Sequence, residues 1–126
     1  MNYFINLSTH NHRYWGKRQI EEALKYGEII DVFPTEITLD MSNSDIIFQA
    51  TKTVNKILKK YQSDENEVSV MIQANYVYSF HVVSLLKEKG IRCLAAHGVR
   101  CERDYNPSEN ITMTEKKFEF VKFIEY

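Results

Sequence analysis

Short apolar runs with strand character alternate with helix-period stretches along most of this chain, and few folds accept that order. Residues 3–7 (Tyr-Phe-Ile-Asn-Leu) read as a first strand. Residues 15–26 read as a helix with Ile20, Ala23 and Leu24 on one face, ended by Gly27 at a C′ position. Glu28-Ile29-Ile30-Asp31-Val32-Phe33 is a second strand, stopped by Pro34. The clearest helix follows, with Ser42, Asn43 or Ser44 to cap it and Ile46, Ile47, Ala50, Val54, Ile57, Leu58 and Tyr61 recurring at the helical period. Residues 68–72 form a third strand, 80–89 a third helix stopped by Gly90, and 91–96 a fourth strand. The tail differs: residues 99–103 and 117–126 are extended segments around a polar loop at 104–114, read as a hairpin or antiparallel edge.

This order predicts one α/β domain over residues 1–126, a three-layer Rossmann-like sandwich on a mostly parallel sheet with right-handed crossovers. The expected strand order is two, one, three, four, with the tail beyond four. The topological switch then lies between strands one and three, and ligands of such sheets bind outside the carboxyl ends of the strands that flank it. Three loops are expected there: residues 8–14, residues 73–79, and His97-Gly98-Val99-Arg100 after strand four.

The first of these loops opens a stretch of unusual chemistry. Residues 8–18 (Ser-Thr-His-Asn-His-Arg-Tyr-Trp-Gly-Lys-Arg) contain no carboxylate. Cations before a helix oppose its macrodipole, so helix stability does not explain them. A bound anion turns the conflict into complementarity, while a solvated basic loop is the ordinary alternative. Ser8, Thr9, Gln73, Asn75 and Ser79 can hydrogen-bond a ligand; His10, Arg13 and Arg100 can meet phosphate; Trp15, Tyr76 and Tyr78 offer rings for a base to stack on.

Each residue has a structural reading beside the functional one. Ser8 and Thr9 serve equally as helix-capping or turn residues. His10 is the candidate general acid or base. His12 is the weaker one, because alternate residues of an extended loop point different ways. Trp15 suits packing of the first helix on the sheet, Tyr76 and Tyr78 suit half-buried positions, and His81 is structural. His97 follows a buried strand directly and is the second histidine of interest. Arg100 has Glu102 or a tail carboxylate as alternative partners.

Other chemistries are disfavoured. The net charge of −1 argues against broad binding to duplex nucleic acid or anionic membranes. There is no GxGxxG after the first strand, no P-loop and no GxSxG elbow. Carboxylates are scarce near the expected site, and Cys93 and Cys101 lack zinc-site spacing, so neither a metal nor a cofactor is expected. Cys93 reads as a core thiol. No signal-peptide pattern opens the chain and no apolar run approaches about 18 residues, so a cytoplasmic location is expected. The third helix carries Phe80, Val82, Val83, Leu85 and Leu86, more than one stripe. Either a second copy or the tail hairpin covers the surplus.

The stretches INLSTH, GEIIDVFP, VMIQANYVYSFHVVSLLKEKGIRCLAA and FEFVKFIEY resemble small CRISPR-associated proteins with a Rossmann-like, nucleotide-sensing (CARF-type) fold, some of which are ring nucleases. The resemblance spans nearly the whole chain. It implies a homodimer that binds a cyclic oligoadenylate, cyclic tetra-adenylate first among the candidates, across its two-fold axis. Ser8, Thr9 and His10, with Gln73, Asn75 and Ser79, would hold the ring. Similar families often show Gly with an acidic residue where this chain has Gln73-Ala74-Asn75. Cleavage would follow attack of a ribose 2′-OH on the adjacent phosphate, with His10 assisting proton transfer and Arg100 or Arg13 stabilising the phosphorane. Two other readings stay open: a sensor or regulator that binds without cleaving, and an unrelated nucleotide or small-molecule enzyme on the same fold.

Overall fold

The computed structural model describes residues 1–126. In chain order it contains β1 (Asn2–Ser8), a 3-10 turn (His12–Tyr14), α1 (Lys17–Leu24), β2 (Glu28–Val32), α2 (Asn43–Tyr61), β3 (Glu67–Gln73), α3 (Tyr76–Glu88), β4 (Arg92–Ser108) and β5 (Ile111–Glu125). The strands form one sheet in the order β2-β1-β3-β4-β5. All pairs are parallel except β4 with β5. The expected α/β sandwich and switch point between β1 and β3 are therefore present.

β1 is the centre of the molecule. Phe4, Ile5, Asn6 and Leu7 are wholly buried, as expected for a parallel strand covered on both faces. Alternation along it divides the core. Ile5 and Leu7 join Val70, Tyr78, Val82, Ala50 and Ile57 under α2 and α3. Phe4 joins Ala23, Met71 and Leu94 on the α1 side, with Trp15, Tyr26 and Phe123 packed around them.

Local signals set the helix ends. Ser42 caps α2 in a reciprocal capping box: its Oγ accepts from Asp45 N at 3.1 Å, and its N donates to the Asp45 carboxylate at 3.0 Å. Asn75 caps α3 by accepting from the main-chain N–H groups of Val77 and Tyr78. Gly27 turns the chain into β2 with φ +146°, where any Cβ would run into the Asn2 carbonyl.

Several expectations are corrected. α1 starts at Lys17 and ends at Leu24, and Leu24 faces solvent while Gln19 is buried with Ala23. The short polar-aromatic stretch before it closes into a 3-10 turn capped by the Asn11 side chain. α3 starts at Tyr76 rather than Phe80, because the Asn75 cap stabilises a turn that its aromatic and β-branched residues obscure in sequence. His97 to Arg100 is not a loop: β4 runs through it, with a bulge between His97 and Gly98. Residues 104–114 are not a polar loop either. Cross-strand pairs carry the hairpin to a tight turn at Glu109-Asn110.

β3 pairs with β4 only as far as Leu94, so the rest of β4 has β5 as its sole partner and the two strands continue as an exposed ribbon. The ribbon's base covers the α1 side, where Phe123 packs tilted against Phe4 and edge-on to Tyr26, and not the surplus face of α3. Phe80 stays 66% exposed. No helix is long and apolar enough to cross a membrane.

Candidate functional site

The carboxyl ends of β1 and β3 lie side by side, with Ser8 in register with Gln73. This is the switch point, and it gathers Ser8, Thr9 and His10 from one loop with Gln73, Asn75 and Tyr76 from the other. Thr9, His10, Gln73, Asn75 and Tyr76 are exposed around the buried Ser8, so the site is an open edge. Tyr76 presents its ring at 92% exposure. Two concavities lie elsewhere on the surface, within the ribbon near Cys101 and near Gln62, and a third lies beside β2, lined by Asp31, Phe33 and Lys56.

Beneath the edge runs a hydrogen-bonded chain. Asn6 is directly opposite Asp31 of β2 and uses both amide protons, donating to Asp31 Oδ1 and to the His10 carbonyl at 2.8 Å each. Its Oδ1 accepts from Ser8 Oγ at 2.8 Å, and Ser8 Oγ also accepts from His10 N at 3.2 Å. An asparagine inside a central strand costs about 1–3 kcal/mol if unsatisfied, and here every polar atom of its side chain is paired.

Asp31 collects three donors. Besides Asn6, it accepts from the main-chain N–H of His12 at 3.1 Å and lies 2.7 Å from His12 Nδ1 through Oδ2. Burial pushes the Asp31 carboxyl up, but the hydrogen bonds from Asn6 and His12, with the nearby imidazole charge, outweigh it and hold the group below its ordinary 3.8. A carboxylate oxygen 2.7 Å from Nδ1 accepts a hydrogen bond from that nitrogen and leaves Nε2 without a partner. The His12 ring edges against Trp15, and Trp15 in turn meets Phe4 edge-on.

The remaining expected residues divide sharply. His10 is anchored through its main chain while its exposed ring makes no hydrogen bond. Arg13 stacks over Tyr14, its guanidinium carbon 4.9 Å from the ring centre. Ser79 sits in the first turns of α3 with its hydroxyl buried and unpartnered. Asn75 is committed to its cap through Oδ1. His97 is exposed on β4, opposite Lys122, just past the level of Gln73.

Arg100 stands apart. Met71 is in register with Leu94, so Gln73 is level with Ala96 and Arg100 lies four residues further, about 13 Å at roughly 3.3 Å per residue. Its guanidinium rests over Phe118, and Glu102 pairs with Lys116 instead. Tyr78 is corrected outright: it is fully buried, its hydroxyl 2.7 Å from Thr53 Oγ, and it offers no face to a base. In an extended loop His12 would point away from the side that His10 faces. The 3-10 turn abolishes that alternation and returns His12 to Asp31. The available signal is Asp31, an acidic residue set between Ile30 and Val32 of the second strand.

A family model described as "Uncharacterized protein MJ1673 family" matches residues 2–124. No curated protein and no solved structure matches the chain.

Proposed function

The chain belongs to the MJ1673 family, and from its site we propose that it binds a cyclic oligoadenylate at the carboxyl ends of β1 and β3 and linearises it, as a CRISPR-associated ring nuclease. The observation that carries this reading is the register of Ser8 with Gln73 at the switch point, where a loop free of carboxylates and bearing His10, His12 and Arg13 meets the start of α3. Hydroxyl, amide and cationic groups on one edge suit a phosphate backbone, and the exposed Tyr76 ring suits an adenine face.

In the proposed reaction a ribose 2′ oxygen attacks the adjacent phosphorus, the bond to the 5′ oxygen breaks, and a 2′,3′-cyclic phosphate ends the linear product. Orientation of the ribose and stabilisation of charge on the phosphorane supply the rate. Arg13 is the guanidinium inside the loop, and Arg100, about 13 Å past the level of Gln73, would serve a site from the ribbon of another chain. A homodimer joined through the exposed α3 face would double the polar groups around a two-fold symmetric ring. Cyclic tetra-adenylate is the first ring to try.

The test is incubation of the purified protein, with EDTA, with cyclic tri-, tetra- and hexa-adenylate, with products resolved by liquid chromatography and mass spectrometry. Linear products ending in a 2′,3′-cyclic phosphate are expected. Intact rings that bind saturably would make the protein a sensor. Absence of binding would withdraw the reading in favour of another small-molecule role on this fold.

A further inference from the structure

We infer that His12, held by Asp31, is the proton-transfer residue of this site, and that Asp31 and Asn6 are its positioning residues. The inference rests on the phosphodiester-cleaving reading above and deepens it. It starts from an asymmetry between the two loop histidines. His10 has its main chain tied down and its ring free, a geometry that holds the loop and leaves the imidazole unoriented. His12 has its ring tied down at one nitrogen only: Nδ1 lies 2.7 Å from Asp31 Oδ2, and Nε2 makes no hydrogen bond. One nitrogen fixed by a carboxylate and the other left open is the arrangement that general base catalysis needs.

A surface salt bridge pinning a turn would account for the His12–Asp31 contact alone. It would not account for Asn6. That residue is fully buried in the central strand, where an aliphatic side chain would pack, and it spends one amide proton on the Asp31 oxygen that also receives the His12 main-chain N–H. Its own oxygen accepts from Ser8 Oγ, and Ser8 is in register with Gln73 at the switch point. The orientation of His12 is thus built into the rigid sheet and continuous with the ligand-facing edge.

The step is balanced without a co-reactant. Nε2 takes the proton of the ribose 2′-OH as the bond from O2′ to phosphorus forms. The bond from phosphorus to O5′ breaks, and the departing oxygen takes a proton from solvent. His12 then releases its proton to solvent, so the ring is isomerised to a linear cyclic-phosphate product.

The experiment compares cyclic tetra-adenylate cleavage by wild type, His12→Asn, Asp31→Asn and His10→Ala across pH 5–9. His12→Asn keeps a donor near the Nδ1 position and removes Nε2, so the turn can stay closed. Expected is a loss in kcat of about 10²-fold or more with KM little changed, loss of the acidic limb of the pH profile, and partial rescue by added imidazole. Asp31→Asn should lower kcat more than it alters KM. A second measurement needs no variant: long-range ¹H–¹⁵N NMR of the wild type should show the neutral His12 ring protonated at Nδ1. Wild-type cleavage with an undiminished His12→Asn rate, or a ring protonated at Nε2, would overturn this assignment and leave the ring-nuclease reading standing. Wild-type protein that leaves every ring intact would overturn both.

Discussion

Asp31 ties stability to pH at the scale of single residues. Its carboxyl is depressed below 3.8 by donors that exist only in the folded chain. A depressed folded value means that its contribution is complete above the unfolded value and is lost as pH falls below 3.8 through the folded one. Urea unfolding of wild type and Asp31→Asn should therefore show a stability gap that is constant near neutrality and narrows in that acid range. A gap that ignores pH would remove the carboxylate from the linkage. At Gly27 the physics is steric: φ is +146° and a Cβ would meet main-chain atoms of Asn2 and Tyr3 that cannot swing away. Gly27→Ala should cost about 2–4 kcal/mol in the same assay. Tyr78→Phe tests a buried hydroxyl pair. It should cost about 1–2 kcal/mol, because Thr53 Oγ keeps its bond to the Gln49 carbonyl when the phenol is gone.

Among the secondary-structure elements, α2 and the β4–β5 ribbon sit at opposite extremes of legibility. α2 announces itself by period and cap, and Ser42→Ala should lower global stability by about 1 kcal/mol through loss of the bond from Asp45 N to Ser42 Oγ. Thermal or urea denaturation reads it directly. The ribbon is hidden because its strands carry charged and polar residues on both faces, which mimics a loop. What holds it is pairing: Arg103 with Glu115, Glu102 with Lys116, and Thr114 donating to Asp104. Exposed pairs of this kind are weak, and a two-stranded ribbon in water is marginal. Hydrogen exchange should find amides of residues 99–119 exchanging well before those of β1 and β3, while residues 92–94, which pair with β3 inside the sheet, stay protected. Uniform protection along β4 would mean that the ribbon is covered in solution.

For the whole molecule, the central question is what meets the face of α3 left open by the ribbon, which packs on the other side of the sheet. If a second copy covers it, Phe80→Glu should shift the protein from dimer to monomer in sedimentation velocity; a monomeric wild type would withdraw the proposed dimer. The order of elements, the sheet order and the switch point follow from local patterns that any segment carries within itself: the strand period, the helical period, caps and stops. The residues of the site's rim, from Ser8 to Tyr76, follow from that topology. The orientation of the site does not. Asn6 looks like a polar interruption of an apolar strand and Asp31 like a charge on an edge. His12 looks like a loop residue turned away. Only their meeting across the β1–β2 register makes them one hydrogen-bonded unit, and register is a property of paired strands rather than of either sequence segment. The chain alone thus determined which layers form and which residues line the carboxyl edge of β1 and β3. The tertiary structure decided which histidine is aimed, because aiming depends on partners distant in sequence.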